Sequence, residues 1–408
     1  MPIADSLPPL SPEQRKKPAH FELRMAAMFA LVFVPNGIHL PYFPLWLKDS
    51  GFSPDDIGLI LSAPVFVRIL AAAIIPARAD RAADRVPIFL VTVLLSMFCV
   101  LGFLLVSGKF AVIAVSLLLA AVWSPHAVLA DSIALSGVRR FGSDYAKQRV
   151  WGSIFFVAAN IVGGYVIAAY GSRTVIWMMA AGFAAMSVVV AAMPRLGRPR
   201  LARPLAGHTF SAMASFFPDR RFMLFVLASA LIQGSHAQLY AFGSIEWKAS
   251  GLSEDYVGWL WAVGVGSEVI MFFAFNRLFG RVSAPAALML GAAISTLRWA
   301  LMAVAGDTGF GWQAMFALQV THAFTFTVAF MGMQRMMAET IPEERMGAAQ
   351  GLSAFAIGVL LSLLMLVSGR LYADFGSHSF LFMCIVSLAG LAAAWLGSRQ
   401  PQSAGEGG

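Results

Sequence analysis

Apolar runs of about 20 residues recur along the chain, each closed by a short polar turn. They fall at 22–47, 55–78, 86–107, 110–137, 148–170 and 173–194, then at 221–247, 254–277, 283–305, 310–338, 346–372 and 376–397. A helix needs about 20 residues, at a rise of about 1.5 Å each, to cross the hydrocarbon of a bilayer. The pattern predicts an all-α membrane protein with twelve transmembrane helices in two six-helix bundles. Between the two sets, "RLGRPRLARPLAGHTFSAMASFFPDRR" is the only long polar connection, and its Pro and Arg content marks a linker. The expected layout is a cytoplasmic tail over 1–20, a bundle over 21–197, a linker over 198–220, a second bundle over 221–397 and a tail over 398–408.

Composition sharpens the choice of medium. The chain is 59% hydrophobic and 12% charged, with a mean hydropathy of +0.75. Soluble domains carry about 25% charged residues, so there are too few here to coat a soluble surface. The net charge of +8 is distributed unevenly. Of the 29 Lys and Arg, only Lys48, Lys109, Arg173, Lys248 and Arg370 fall on one side of the expected spans. Arg68 and Arg298 lie inside spans, and the other 22 share the side of the N-terminus. That asymmetry is the positive-inside signature. It places both termini in the cytoplasm of a bacterial-type inner membrane and accounts for the basic charge without nucleic acid.

Several chemistries lack their signatures. There is no GxxxxGK[ST] loop, Gly-x-Ser-x-Gly, His-Glu-x-x-His or paired-Cys motif, so direct ATP drive, an enzyme activity, a metal and a cofactor are not expected. Cys99 and Cys384 sit in apolar runs and read as small buried hydrophobes. The first twenty residues are Pro-rich and polar and lack the apolar core of a signal peptide. The expected partners are a small solute, protons and lipid, with no obligate protein partner.

A charge at the centre of a span costs about 2.5–3.5 kcal/mol, whereas a Leu or Phe there contributes about −0.3 to −0.6 kcal/mol. Such charges persist where they face a cavity or a partner. His236, Glu268, Arg298 and His322 are each central in four consecutive spans, 7 to 10. A carboxylate in low dielectric holds its proton more tightly unless a cation lies near it, and Arg keeps its charge at any physiological pH. Alternating approach and separation of Glu268 and Arg298 would lower and raise the affinity of Glu268 for a proton, which is what proton coupling requires. A static ion pair is the competing reading. Arg68, mid-depth in span 2, suits a clamp for a substrate carboxylate or a partner on a neighbouring helix. Asn36 and His39 share one helix face. With Pro35, Gly37 and Pro41 they suggest a broken, cavity-facing first helix. Gln233 and Tyr240 are polar candidates at similar depth, along with Tyr42, Trp123, Gln238, Trp259, Trp261 and Gln319.

Two sixes of spans joined by a basic loop resemble the major facilitator superfamily. "PARADRAADR" lies in register with that superfamily's Gly-x-x-x-Asp-Arg-x-Gly-Arg-Arg/Lys loop: Asp80, Arg81 and Arg85 match, while Pro76 and Ala83 replace glycines and Asp84 an arginine. "AFNRLFGR" in the second half is a weak echo of the same turn. "LPYFPLWLKDSGFSPDDIGLIL", "DYAKQRVWGSI", "LIQGSHAQLYAF" and "GWLWAVGVGSEVIMFF" look like the phenylpropionate permease branch, near the oligosaccharide–proton symporters. The resemblance, from about Arg24 to Trp395, implies a secondary transporter. It suggests proton symport of an aromatic monocarboxylate such as 3-phenylpropionate, through a central site that rocking opens to each side in turn. It implies a gating role for Asp80, Arg81 and Arg85, and coupling roles for Glu268, Arg298 and His322, with His236 as a further relay candidate. The second carboxylate of the oligosaccharide symporters is absent, since position 325 is Thr. Asp131 and Arg149 match the acidic–Arg pair that contacts sugar in lactose permease, so an oligosaccharide–proton symporter is the alternative. A non-transporting membrane sensor is the alternative of another class, although the short tails leave no room for an output domain.

Overall fold

A computed structural model describes residues 15–197, 213–305 and 311–401. Most of the expected linker and the outer parts of both expected tails lie outside the described residues. Among those described there is no strand. Eleven stretches are long and apolar enough to cross a membrane, and the last of them, Glu343–Arg399, holds two helices. The result is twelve helices, as the spacing of apolar runs predicts. They are α1 Phe21–Asp49, α2 Pro54–Ala79, α3 Arg85–Gly102, α4 Lys109–Phe141, α5 Tyr145–Tyr170, α6 Thr174–Ala191, α7 Arg220–Ala249, α8 Glu254–Phe279, α9 Ala284–Val304, α10 Trp312–Thr340, α11 Met346–Phe375 and α12 Phe380–Arg399.

The surface is inverted relative to a water-soluble protein. Leu105, Phe110 and Phe273 are 88%, 76% and 78% exposed, while Asn160, His236, Arg298 and Thr325 are buried. Large exposed apolar side chains on nearly every helix are stable against lipid tails and costly against water. Helices are the only open-chain solution there, because each backbone polar group must be satisfied within its own segment.

The chain repeats itself in register. "KDSGFSPDDIG" at 48–58 recurs as "KASGLSEDYVG" at 248–258. In both copies a glycine ends one helix, Gly51 at φ 86° and Gly251 at φ 88°. A side chain is disfavoured in that left-handed conformation. Acidic residues then open the next helix, Asp55 and Asp56 on α2, Glu254 and Asp255 on α8, where they oppose the positive end of its dipole. The same register sets Arg68 of α2 against Glu268 of α8. Packing follows the repeat as well: α3 lies against α6 and α4 in the first half, and α9 against α12 and α10 in the second.

Contact clustering separates two compact units. One comprises Met1–Leu40, Val67–Gly163 and Arg173–Leu205; the other comprises Pro41–Phe66, Gly164–Ser172 and Ala206–Gly408. Within the first, Gly37 of α1 lies against the backbone of α5, where a Cβ would come 2.6 Å from Phe156 O. Within the second, one contact occurs twice. Gly164 in the last third of α5 abuts the start of α8, and Gly369 of α11 abuts the start of α2; an added Cβ would lie 2.5 Å from Glu254 O and 2.6 Å from Pro54 O respectively. Ser362 also donates to Ser62 O at 2.9 Å.

Helix α1 corrects one expectation. It runs unbroken from Phe21 to Asp49 through Pro35, Gly37 and Pro41. Prolines are tolerated in lipid-embedded helices; Asn36 Nδ2 turns back on its own helix and donates to Val32 O at 3.0 Å. The interruptions fall elsewhere. α4 is divided at Ser124, before Pro125. α7 and α10 each widen into a π-helical turn, at Leu239–Gly243 and Ala323–Val328. Such turns gather at functional sites.

Candidate functional site

The two widened turns sit just beyond His236 and His322, whose rings lie 5.0 Å apart. Around them α7, α8, α9 and α10 bring together the four ionisable residues that the sequence places centrally. Glu268 Oε1 is 2.7 Å from His322 Nε2. His322 Nδ1 is 2.7 Å from Arg298 NH1. The same NH1 reaches Thr325 Oγ1 at 3.2 Å, and NH2 donates to Gln319 Oε1 at 3.0 Å. Thr325 Oγ1 lies 2.9 Å from His236 Nε2. Gln233 joins α7 to α10 by donating to Phe326 O at 3.2 Å, and the Tyr240 ring lies 5.9 Å from that of His236.

Arg298 is the centre of this network. It is 1% exposed, its guanidinium lies 4.8 Å over the Trp299 ring, and Trp299 is anchored by its own bond to Ser235 Oγ at 2.9 Å. Among the described residues, the hydrogen bonds from Arg298 end on His322, Thr325 and Gln319, and none on a carboxylate. The static Glu268–Arg298 ion pair weighed from sequence is not what forms, because His322 stands between the two. Arg298 Nε and Gln319 Nε2 are buried donors with no hydrogen-bond partner among the described residues. The site is rich in donors and short of acceptors, and an unmatched buried donor costs about 1–3 kcal/mol.

The first-half candidates form separate groups. Arg68 is exposed and makes no ion pair among the described residues, though it lies within electrostatic reach of His39. The His39 ring stands edge-on to Trp123 at 5.2 Å. Among the described residues, the Asn36 side chain bonds its own helix, as above. Asp131 and Arg149 meet at 4.0 Å. Asp131 also accepts from Tyr145 OH at 2.8 Å, and Arg149 lies 4.2 Å over the Phe33 ring. At the α2–α3 turn, Arg85 Nε bonds Asp80 Oδ1 at 2.7 Å and NH1 reaches Ser136 Oγ at 2.9 Å. Arg81 is exposed and takes no part. Asp84 caps α3 through Val86 N and also accepts from Gly197 N, each at 2.8 Å.

Sequence reasoning missed Thr325 and Tyr145 as members of these groups, and Asp84 as a cap. In the sequence Thr325 marks only the place of an absent carboxylate. The 48–58 and 248–258 repeat was the available signal for reading Arg68 and Glu268 as equivalents.

The comparisons with known proteins define a secondary transporter of the major facilitator kind rather than an enzyme. A family model described as the MFS_1 like family matches residues 22–384, and the chain belongs to that family. It is 29% identical over 364 residues to the "Probable 3-phenylpropionic acid transporter" of Escherichia coli (strain K12), covering 89% of this chain and 94% of that one. It is 24% identical over 383 residues to the "Maltose permease" of Geobacillus stearothermophilus, covering 93% and 95%. Among solved structures, the crystal structure of nucleoside transporter NupG superposes with a TM-score of 0.82 at 16% identity, over 94% of this chain and all of that one.

Proposed function

We propose that this protein is a proton-coupled symporter for a small organic monoanion, an aromatic monocarboxylate such as 3-phenylpropionate, in a bacterial-type cytoplasmic membrane with both termini inside. The observation that carries the reading is the state of Arg298, a buried guanidinium bonded among the described residues to His322, Thr325 and Gln319 and to no carboxylate. Arg68 and Arg298 are two mid-helix cations, and Glu268 is the one carboxylate of the His236–Glu268–Arg298–His322 set. When Glu268 takes a proton, its negative charge vanishes and Arg298 loses its counterion. An uncompensated cation in low dielectric is costly, and a substrate carboxylate offsets that cost. Proton and anion therefore favour one another's binding, as linkage requires. Arg68, exposed and without an ion pair among the described residues, offers the planar fork that grips a carboxylate. The name of the E. coli relative supports the substrate class. In this reading the Asp80–Arg85–Ser136 clasp is a conformational lock, with Arg81 beside it, and neither a cofactor nor an obligate protein partner is required.

The alternative is oligosaccharide–proton symport. The Asp131–Arg149 pair, steadied by Tyr145, would hydrogen-bond sugar hydroxyls, and the maltose permease relative favours it. Uptake of labelled 3-phenylpropionate and of maltose into transport-deficient cells separates the two. The expected result is accumulation of phenylpropionate that collapses when a protonophore is added. Maltose uptake alone would transfer the assignment to sugars, and uptake of neither would overturn both substrates.

A further inference from the structure

The two ring nitrogens of His322 face groups of opposite hydrogen-bonding character. A guanidinium nitrogen only donates, so Nδ1, 2.7 Å from Arg298 NH1, must accept. A neutral imidazole carries one N–H, which must then be on Nε2, pointing to Glu268 Oε1 at 2.7 Å. An imidazolium would set its Nδ1–H against an N–H of Arg298. A proton on Oε1 would set O–H against the Nε2–H in the same way. His236 faces the other way: its Nδ1 lies 3.1 and 3.2 Å from the carbonyls of Ile232 and Gln233 and donates, while Nε2 meets the Thr325 hydroxyl, which can also donate to His322 O at 3.3 Å. His322 is therefore neutral and engaged at both nitrogens, and Glu268 Oε2 is the oxygen left for an added proton.

We infer that His322 is a positioning residue rather than a proton carrier. It is a neutral spacer that grips Glu268 by Oε1 and keeps the carboxylate off the Arg298 guanidinium, so that the coupling proton binds and leaves at Oε2. The physical reason is distance. A guanidinium in direct contact holds a carboxylate ionised, and Coulomb attraction falls as the groups are moved apart. With an imidazole between them, Glu268 stays able to exchange a proton while Arg298 keeps its bonds. The charged and titratable groups facing Glu268 among the described residues are Arg298 on α9, His322 on α10 and Tyr240 on α7, with His236 behind Thr325. This inference rests on Glu268 as the proton site of the proposed symport.

His322→Gln tests it, because a glutamine amide keeps one acceptor and one donor but carries no exchangeable charge. In ¹⁵N-histidine-labelled full-length protein in lipid, the His322 signals are those lost in His322→Gln. They should report one bare Nδ1 and one protonated Nε2 between about pH 8 and 5.5, a window spanning the ordinary histidine value of about 6.5. An imidazolium signature within that window, or a protonated Nδ1 in the neutral form, would overturn the inference. In proteoliposomes, His322→Gln should retain most of the proton influx driven by 3-phenylpropionate, and His322→Leu should lose it. Loss of influx in His322→Gln with counterflow intact would make His322 a proton carrier after all. If the wild type moves no phenylpropionate, the functional reading fails, and the tautomer spectrum still decides the role of His322.

Discussion

The two copies of the repeated segment set opposite charges in the same position, and their surroundings differ as much as the charges do. Arg68 on α2 is exposed and makes no ion pair among the described residues. Glu268 on α8 is tied through His322 to Arg298, and beyond it to Gln319, Thr325 and His236. One half holds a cation with no ion pair among the described residues. The other holds an anion inside a network whose hydrogen bonds are almost all assigned. A side chain left unpaired suits an incoming solute, and one held at a fixed distance from a cation suits a proton. In the proposed reading, the comparison gives Arg68 the substrate role and Glu268 the coupling role.

Paired substitutions test that separation. Arg68→Ala should weaken 3-phenylpropionate binding by about 10- to 100-fold, the worth of a charge-assisted hydrogen bond, and leave the melting temperature unchanged; counterflow KM and a detergent melt read the two effects. Arg298→Met should damage both. It strips the donors from His322 Nδ1, Gln319 Oε1 and Thr325 Oγ1, and removing one member of a buried charged network costs about 3–5 kcal/mol. Equal thermal effects of the two changes would erase the distinction between the halves.

Much of the fold was legible because the bilayer imposes long signals. A run of 20 apolar residues admits few alternatives, so twelve helices follow from spacing alone. The set of central residues was legible for the same reason, since a charge in such a run is rare. The wiring was not. Sequence places Glu268, Arg298 and His322 at one depth without saying which side chain stands between the others. The unbroken α1 shows the opposite limit. Pro35, Gly37 and Pro41 signal a break in water, but a helix in an apolar medium keeps its remaining hydrogen bonds. The π-turns of α7 and α10 carried no proline to announce them.

Two smaller changes sharpen the comparison where the halves agree. Gly164→Ala and Gly369→Ala each drive a methyl against backbone in matching contacts. Each should cost about 1–3 kcal/mol, and by nearly equal amounts, as thermal melts of the two variants would show. Smallest is Asp84→Ala, which removes the 2.8 Å cap of α3 and the anchor of Gly197, a loss of about 1 kcal/mol. Ser283→Ala, at the equivalent but longer 3.4 Å cap of α9, should cost less, and the reverse order would deny the caps their role.

Glu268→Gln in proteoliposomes addresses the coupling role itself. The amide keeps an oxygen to accept from His322 Nε2 but cannot take up and release a proton. The variant should exchange 3-phenylpropionate by counterflow at a rate near that of the wild type, while an imposed phenylpropionate gradient moves no protons. Proton influx equal to the wild type's would show that the coupling proton travels elsewhere.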